Sequence, residues 1–138
     1  MKTKLEPTAG LDPNERIRIT NYISGMAQDK IVIFATHVIS DIEFFADRII
    51  LLKHGRLVKA APTTELQESI TGKVYEGIIS KEDAEKLNSS DALVSNMHYS
   101  GNKVKVRIIS EDNNLSEEWK RVEPELSDVY LYYEQENE

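Results

Sequence analysis

Residues 31–35 read Ile-Val-Ile-Phe-Ala, an unbroken apolar run in which three residues are β-branched. A strand with one solvated face alternates apolar and polar residues. A continuous run is the mark of a strand covered on both faces, as in a parallel sheet. The flanking chain is consistent with that setting. Asp12-Pro13-Asn14-Glu15 is a compact helix start: Asp caps free N–H groups, Pro suits the first helical position, and Glu15 is placed for a capping box. Ile19, Tyr22, Ile23, Met26 and Ala27 then recur at three- and four-residue spacing, predicting an apolar stripe through about Gln28. Beyond the run, Thr36-His37 ends the strand, and Ser40 with Glu43 predicts a second capped helix through Ala46. Residues 48–52 (RIILL) read as another buried strand. His54-Gly55 reads as a tight hairpin turn into RLVKA, and Pro62-Thr63 as the opening of a short helix. Helix, strand, helix, strand over residues 5–60 is the pattern of an α/β parallel sheet.

From Gly72 the texture changes. KVYEGII, a helix starting at Ser80, ALVSNMHY, a Ser-Gly-Asn turn and the alternating KVKVRII predict a small α+β unit. A polar link over 110–116 follows, then a closing helix over PELSDVYLYYE with Leu126, Val129, Tyr130 and Tyr133 on one face. Helical spacing also assigns Trp119 to core packing. The boundary is expected near residues 61–72, dividing the chain into 1–62, a linker helix at 63–71, and 72–138.

Charge and composition exclude several functions. The 138 residues carry 17 basic and 24 acidic side chains, a formal charge of −7, and eight of the acids lie in residues 117–138. Nucleic-acid binding calls for clustered Lys and Arg, so no nucleic-acid partner is expected. Without cysteine there are no disulfides, thiolate zinc sites or thiol nucleophiles. His54 and His98 lack companions at ligand spacing, and no metal site is expected from them. No signal-peptide pattern opens the chain, and no apolar run approaches the roughly 20 residues that span a bilayer. The expected location is the cytoplasm.

Glu6, Asp12 and His37 form the strongest chemical constellation. Glu6 precedes a turn, and His37 lies just past the carboxyl end of a predicted strand, where ligands gather in open α/β sheets. The stretch EPTAGLDP, the helix after it, IVIFATHVISDIEFFADRIILLKHGRLV and the following PTTEL resemble the back half of an ATP-binding cassette (ABC) ATPase. By that resemblance Glu6 ends the Walker B strand and polarises the attacking water. Ala9 to Asp12, with Gly10, is the D-loop at the interface of a nucleotide-sandwich dimer. His37 is the switch histidine of the H-loop, which contacts the γ-phosphate. Residues 72–138 resemble the small carboxyl-terminal extension of bacterial export-type ABC ATPases. The matching positions are Pro124, Leu126, Asp128, Val129, Tyr130 and Leu131, with Ser127 where the family has an acid.

The resemblance implies ATP and Mg²⁺ as cofactors, ATP hydrolysis coupled to transmembrane export as the parent activity, and a membrane permease as partner. Other parts of the pattern are missing. Gly72-Lys73 is followed by Val74, so it is not a Gly-x4-Gly-Lys-Ser/Thr phosphate loop, and no LSGGQ-like signature is present. Leu5 stands where the family's Mg²⁺-binding Asp belongs, and magnesium requires oxygen donors. Met-Lys-Thr-Lys stands in place of the apolar strand, which is therefore expected to be absent. The expectation is a truncated or split nucleotide-binding subunit, inactive alone, that pairs with itself or with a complementary ABC ATPase fragment. Two alternatives stay open: a non-catalytic interaction module acting through residues 72–138, and an ATPase whose P-loop comes from a partner. Simpler roles compete at each residue. Glu6 could be a solvated carboxylate, Asp12 a helix cap, and His37 a cap on a strand–helix turn.

Overall fold

A computed structural model describes residues 2–5, 12–43 and 45–135, with only the backbone considered for 2–5. The elements run β1 (Lys2–Leu5), α1 (Pro13–Met26), β2 (Val32–Ala35), a 3-10 turn (Ile39–Asp41), β3 (Arg48–Lys53) and β4 (Arg56–Pro62). They continue with α2 (Thr63–Ser69), β5 (Val74–Ser80), α3 (Lys81–Asn88), β6 (Leu93–Ser100), β7 (Lys103–Ile109), β8 (Trp119–Arg121) and α4 (Leu126–Gln135). The architecture is mixed α/β, and the chain falls into two compact units, Met1–Asp47 and Arg48–Glu138.

In the first unit α1 begins where the sequence predicts. The Asp12 carboxylate accepts the Glu15 N–H at 3.0 Å, and Pro13 occupies the first helical position. Ile23 is the residue of the stripe that becomes buried, while Tyr22 is exposed, so the stripe is narrower than its spacing implies. The strand expected to be missing is formed. Lys2–Leu5 pairs with β2 in parallel, Lys2 opposite Val32 through Leu5 opposite Ala35. Backbone hydrogen bonding builds that strand, and it needs no apolar side chains. Parallel pairing is confined to these two strands among the described residues. The expectation that the 31–35 run is covered on both faces fails, because Ile33 is 43% exposed. The predicted helix from Ser40 appears instead as the 3-10 turn. It has no side-chain cap, and the Glu43 N–H and Ala46 N–H bond back to Ile39 and Ile42.

The second unit opens with the predicted hairpin. His54 and Gly55 both have positive φ (50° and 73°), the backbone that tight primed turns require. Pairing of β3 and β4 places Ile49 opposite Ala61 on a buried face, where β4 meets α2 and α4. The opposite face carries Ile50, Leu52 and Leu57, all exposed, so RIILL is buried on one side only. The four-stranded antiparallel sheet runs β6-β7-β5-β8. On one of its faces Tyr75, Ile79, Val104, Val106 and Ile108 pack with Ala84 and Leu87 of α3. Ser80 caps α3 by accepting the Asp83 N–H at 3.1 Å. Trp119 opens a strand, where helical spacing was expected, and packs on this same core. Helix α4 buries Leu126, Val129 and Tyr133 as expected. Tyr130 is exposed, and Asp128 is enclosed instead.

Candidate functional site

The parallel register decides what meets at the end of the first sheet. Leu5 and Ala35 are partners, so β1 and β2 finish at the same edge. In open α/β sheets ligands bind beyond the carboxyl ends of the strands. His37 lies two residues past Ala35, exposed, in a bend. The bend has a local cause: the Thr36 hydroxyl accepts the Val38 N–H at 2.9 Å, closing a side-chain turn around the histidine. Glu6 and Gly10 lie outside the described residues. Asp12 is placed, and its carboxylate caps α1.

One feature of this edge escaped the sequence reading. Asp41 is only 5% exposed, and its Oδ1 receives Arg16 Nη2 at 2.6 Å. Arg16 is in the first turn of α1, four residues beyond Asp12, and its own N–H bonds to the Asp12 carbonyl at 3.0 Å. Arg16 and Asp41 are 25 residues apart, so no local spacing signals the pair, and the capping-box pattern of Ser40 and Glu43 points to a different role for this turn. Phe34 and Phe45 stack edge to face at 5.4 Å beside the same turn.

The Gly72-Lys73 pair is no phosphate cradle in space either. Gly72 takes φ +84° in the turn after α2. Lys73 Nζ is held by the Tyr132 hydroxyl at 2.9 Å and by Glu111 at 3.0 Å. Those two hydrogen bonds, Tyr132 first, raise its pKa. The same lysine, with Tyr132, lowers that of Glu111. A lysine so engaged is not directed at a ligand phosphate, and Leu5 offers magnesium no oxygen. These residues do not by themselves fit a Mg-ATP complex.

The second unit holds a denser polar cluster. Arg107, on β7, donates from Nε to both oxygens of Asp128 at 3.1 Å and from Nη2 at 2.7 Å. Its remaining donors reach Glu76 at 3.0 Å and the Glu123 carbonyl at 2.6 Å. The Ser95 hydroxyl and the Glu125 N–H complete the shell of Asp128 at 2.6 and 2.8 Å. The hydrogen bonds to Asp128 raise the guanidinium pKa against the opposing effect of burial. Asp128 at the third position of α4, bonding back to the Glu125 N–H, is half of a capping box. No described helix is long and apolar enough to cross a membrane, and no described group of three His, Cys, Asp or Glu is placed to hold a metal.

No protein-family model matches the chain. Over 63 residues, 46% of its length, it is 36% identical to the ABC-type organic anion transporter ABCA8B of Mus musculus. It is 36% identical over 63 residues to ATP-binding cassette sub-family A member 9 of Homo sapiens. Against the energy-coupling factor transporter ATP-binding protein EcfA2 of Staphylococcus saprophyticus it is 38% identical over 63 residues, 44% of the chain. The chain resembles part of an ABC ATPase. It spans 4% of the length of each of the first two relatives and 22% of EcfA2. The likeness is therefore to a segment of an ABC ATPase and covers less than half of this chain.

Proposed function

We propose that residues 1–62 are the carboxyl-terminal part of an ABC nucleotide-binding subunit. Residues 63–71 then serve as a linker helix and 72–138 as a small α+β extension. In this reading Glu6 polarises the attacking water, His37 is the switch histidine, and Gly10 and Asp12 belong to a D-loop at a dimer interface. The observation that carries it is the parallel register of Leu5 with Ala35. It supports a shared edge for the carboxyl ends of the two strands, with Thr36-His37 directly following β2. These 138 residues contain neither a P-loop nor a signature motif. Hydrolysis of Mg-ATP accordingly takes both from elsewhere, and the chain alone does not hydrolyse ATP. The parent subunit works on the cytoplasmic side of a membrane permease in export.

The test is a graft. Residues 5–60, carrying Leu5→Asp, replace the matching segment of EcfA2, and Mg-ATP hydrolysis is measured. The graft is expected to hydrolyse ATP, and Glu6→Gln to slow it about 100-fold or more, as loss of a general base does. His37→Ala is expected to depress it as well. Hydrolysis indifferent to Glu6→Gln would rule the assignment out. Titration of the 138-residue chain with a fluorescent ATP analogue and Mg²⁺ is expected to show no saturable binding.

The alternative of a non-catalytic interaction module draws on one observation. The Arg48–Glu138 unit has a core and a buried ion network of its own. It requires that residues 72–138, which contain that core and network, fold as a separate species and bind a transporter subunit without nucleotide.

A further inference from the structure

We propose that the Arg16–Asp41 ion pair positions His37 by fastening the turn that carries it to α1, the helix that starts at Asp12. The inference rests on the reading of His37 as a site residue. Its evidence is a continuous set of bonds on either side of the histidine. The Thr36 hydroxyl accepts the Val38 N–H at 2.9 Å, and the Val38 carbonyl accepts the Asp41 N–H at 3.1 Å. The Asp41 side chain then receives Arg16 at 2.6 Å. A carboxylate that is 5% exposed tolerates its burial only with charge-assisted partners. Removing Arg16 therefore takes away a charge-assisted partner of this carboxylate and weakens the hold of α1 on the turn. Arg16 is bonded through its N–H to the Asp12 carbonyl. A displacement of the start of α1 is consequently transmitted through Arg16 to the turn at His37. Three groups act as one lever: Asp12, Arg16 one helical turn on, and Asp41, 25 residues beyond Arg16.

NMR on the whole 138-residue chain tests this without nucleotide. Arg16→Ala, and independently Asp41→Asn, are expected to move the His37 ring ¹H–¹³C signals. The same variants should speed exchange of the Val38, Asp41 and Ile42 amides about tenfold or more, as loss of a charge-assisted partner of a buried carboxylate does. The Val106 amide of the second unit keeps its protection. Arg16→Lys, which retains the charge, restores the ring signals toward their original positions. Unmoved His37 ring signals in both broken-pair variants overturn the proposal, even if the turn amides exchange faster, because the pair is then only structural. Lost protection at Val106 also overturns it, by making the pair a global stabiliser. In the hydrolysing graft, Arg16→Ala should lower kcat with KM for ATP unchanged, and an unaltered kcat refutes a positioning role. A graft that never hydrolyses ATP counts against the proposed function alone, since the ring signals judge the coupling independently.

Discussion

Asp128 is fully enclosed, and it tolerates this because both of its oxygens are occupied by Arg107, Ser95 and the Glu125 N–H. Such an arrangement is costly to break from one side, because the surviving charge stays buried without its counterpart. Asp128→Ala should lower the unfolding free energy by roughly 3–5 kcal/mol, read from the denaturant midpoint at constant m-value. Glu76 shares the guanidinium and adds a pH dependence. Burial by itself would raise its carboxyl, but hydrogen bonds from Arg107 and Lys105 prevail and hold it below its ordinary 4.5. The folded state therefore binds fewer protons than the unfolded chain in that range. Stability from this group is complete above pH 4.5 and declines as pH falls through the lower folded value. Glu76→Gln should flatten the acid limb of a stability–pH curve, and an unchanged limb would place the acid sensitivity elsewhere.

Among the elements, β5 carries a close approach to β8. Gly77 lies under Trp119, and a Cβ there would sit 2.7 Å from Trp119 Cε3. Gly77→Ala must push the indole outward, loosening β8 from β5 at a cost of roughly 1–3 kcal/mol. A red shift of the Trp119 emission should accompany the loss, and the chain has no other tryptophan to confuse the reading. At the other end of the chain, Asp12→Ala removes the cap of α1 and should cost about 1 kcal/mol of local stability. Amide exchange along α1 reads that change, with the second unit unaffected. The elements that sequence located well are those with local signals: Asp12-Pro13 for α1, Ser80 for α3, and His54-Gly55 for the hairpin. The misreadings share a different origin. β1 is four residues long with lysine at two of them, and β8 is three residues long, so neither is long enough to show an apolar period. Ser40 has the right chemistry for a cap, yet Asp41 beside it is committed to Arg16 on another helix. Burial of Asp128 and Arg107 was equally hidden. A charged residue reads as surface until a partner distant in sequence is known.

For the molecule as a whole, the apolar surface that each unit leaves uncovered bears on its behaviour in solution. In the first, β2 pairs with β1 alone among the described residues, and Ile31 and Ile33 are exposed. A two-stranded sheet is marginal in water, and an unpaired strand edge invites another chain. In the second, Ile50, Leu52 and Leu57 share the open face of the β3–β4 hairpin. Contiguous aliphatic surface of this kind is uncommon on proteins that remain monomeric. The 138-residue chain should therefore associate as its concentration rises, with itself or with a complementary ABC ATPase segment. Sedimentation over a dilution series measures this directly. Ile50→Lys with Leu52→Lys should reduce association through the hairpin, and Ile33→Lys should do so through the first sheet. Because these side chains are exposed, each substitution should alter folding stability by only about 0.5 kcal/mol. A monodisperse monomer at every concentration would mean that neither face is adhesive. If Ile33→Lys alone abolished association, the edge of β2 would be the docking site, and the segment that completes that sheet would be the partner to seek.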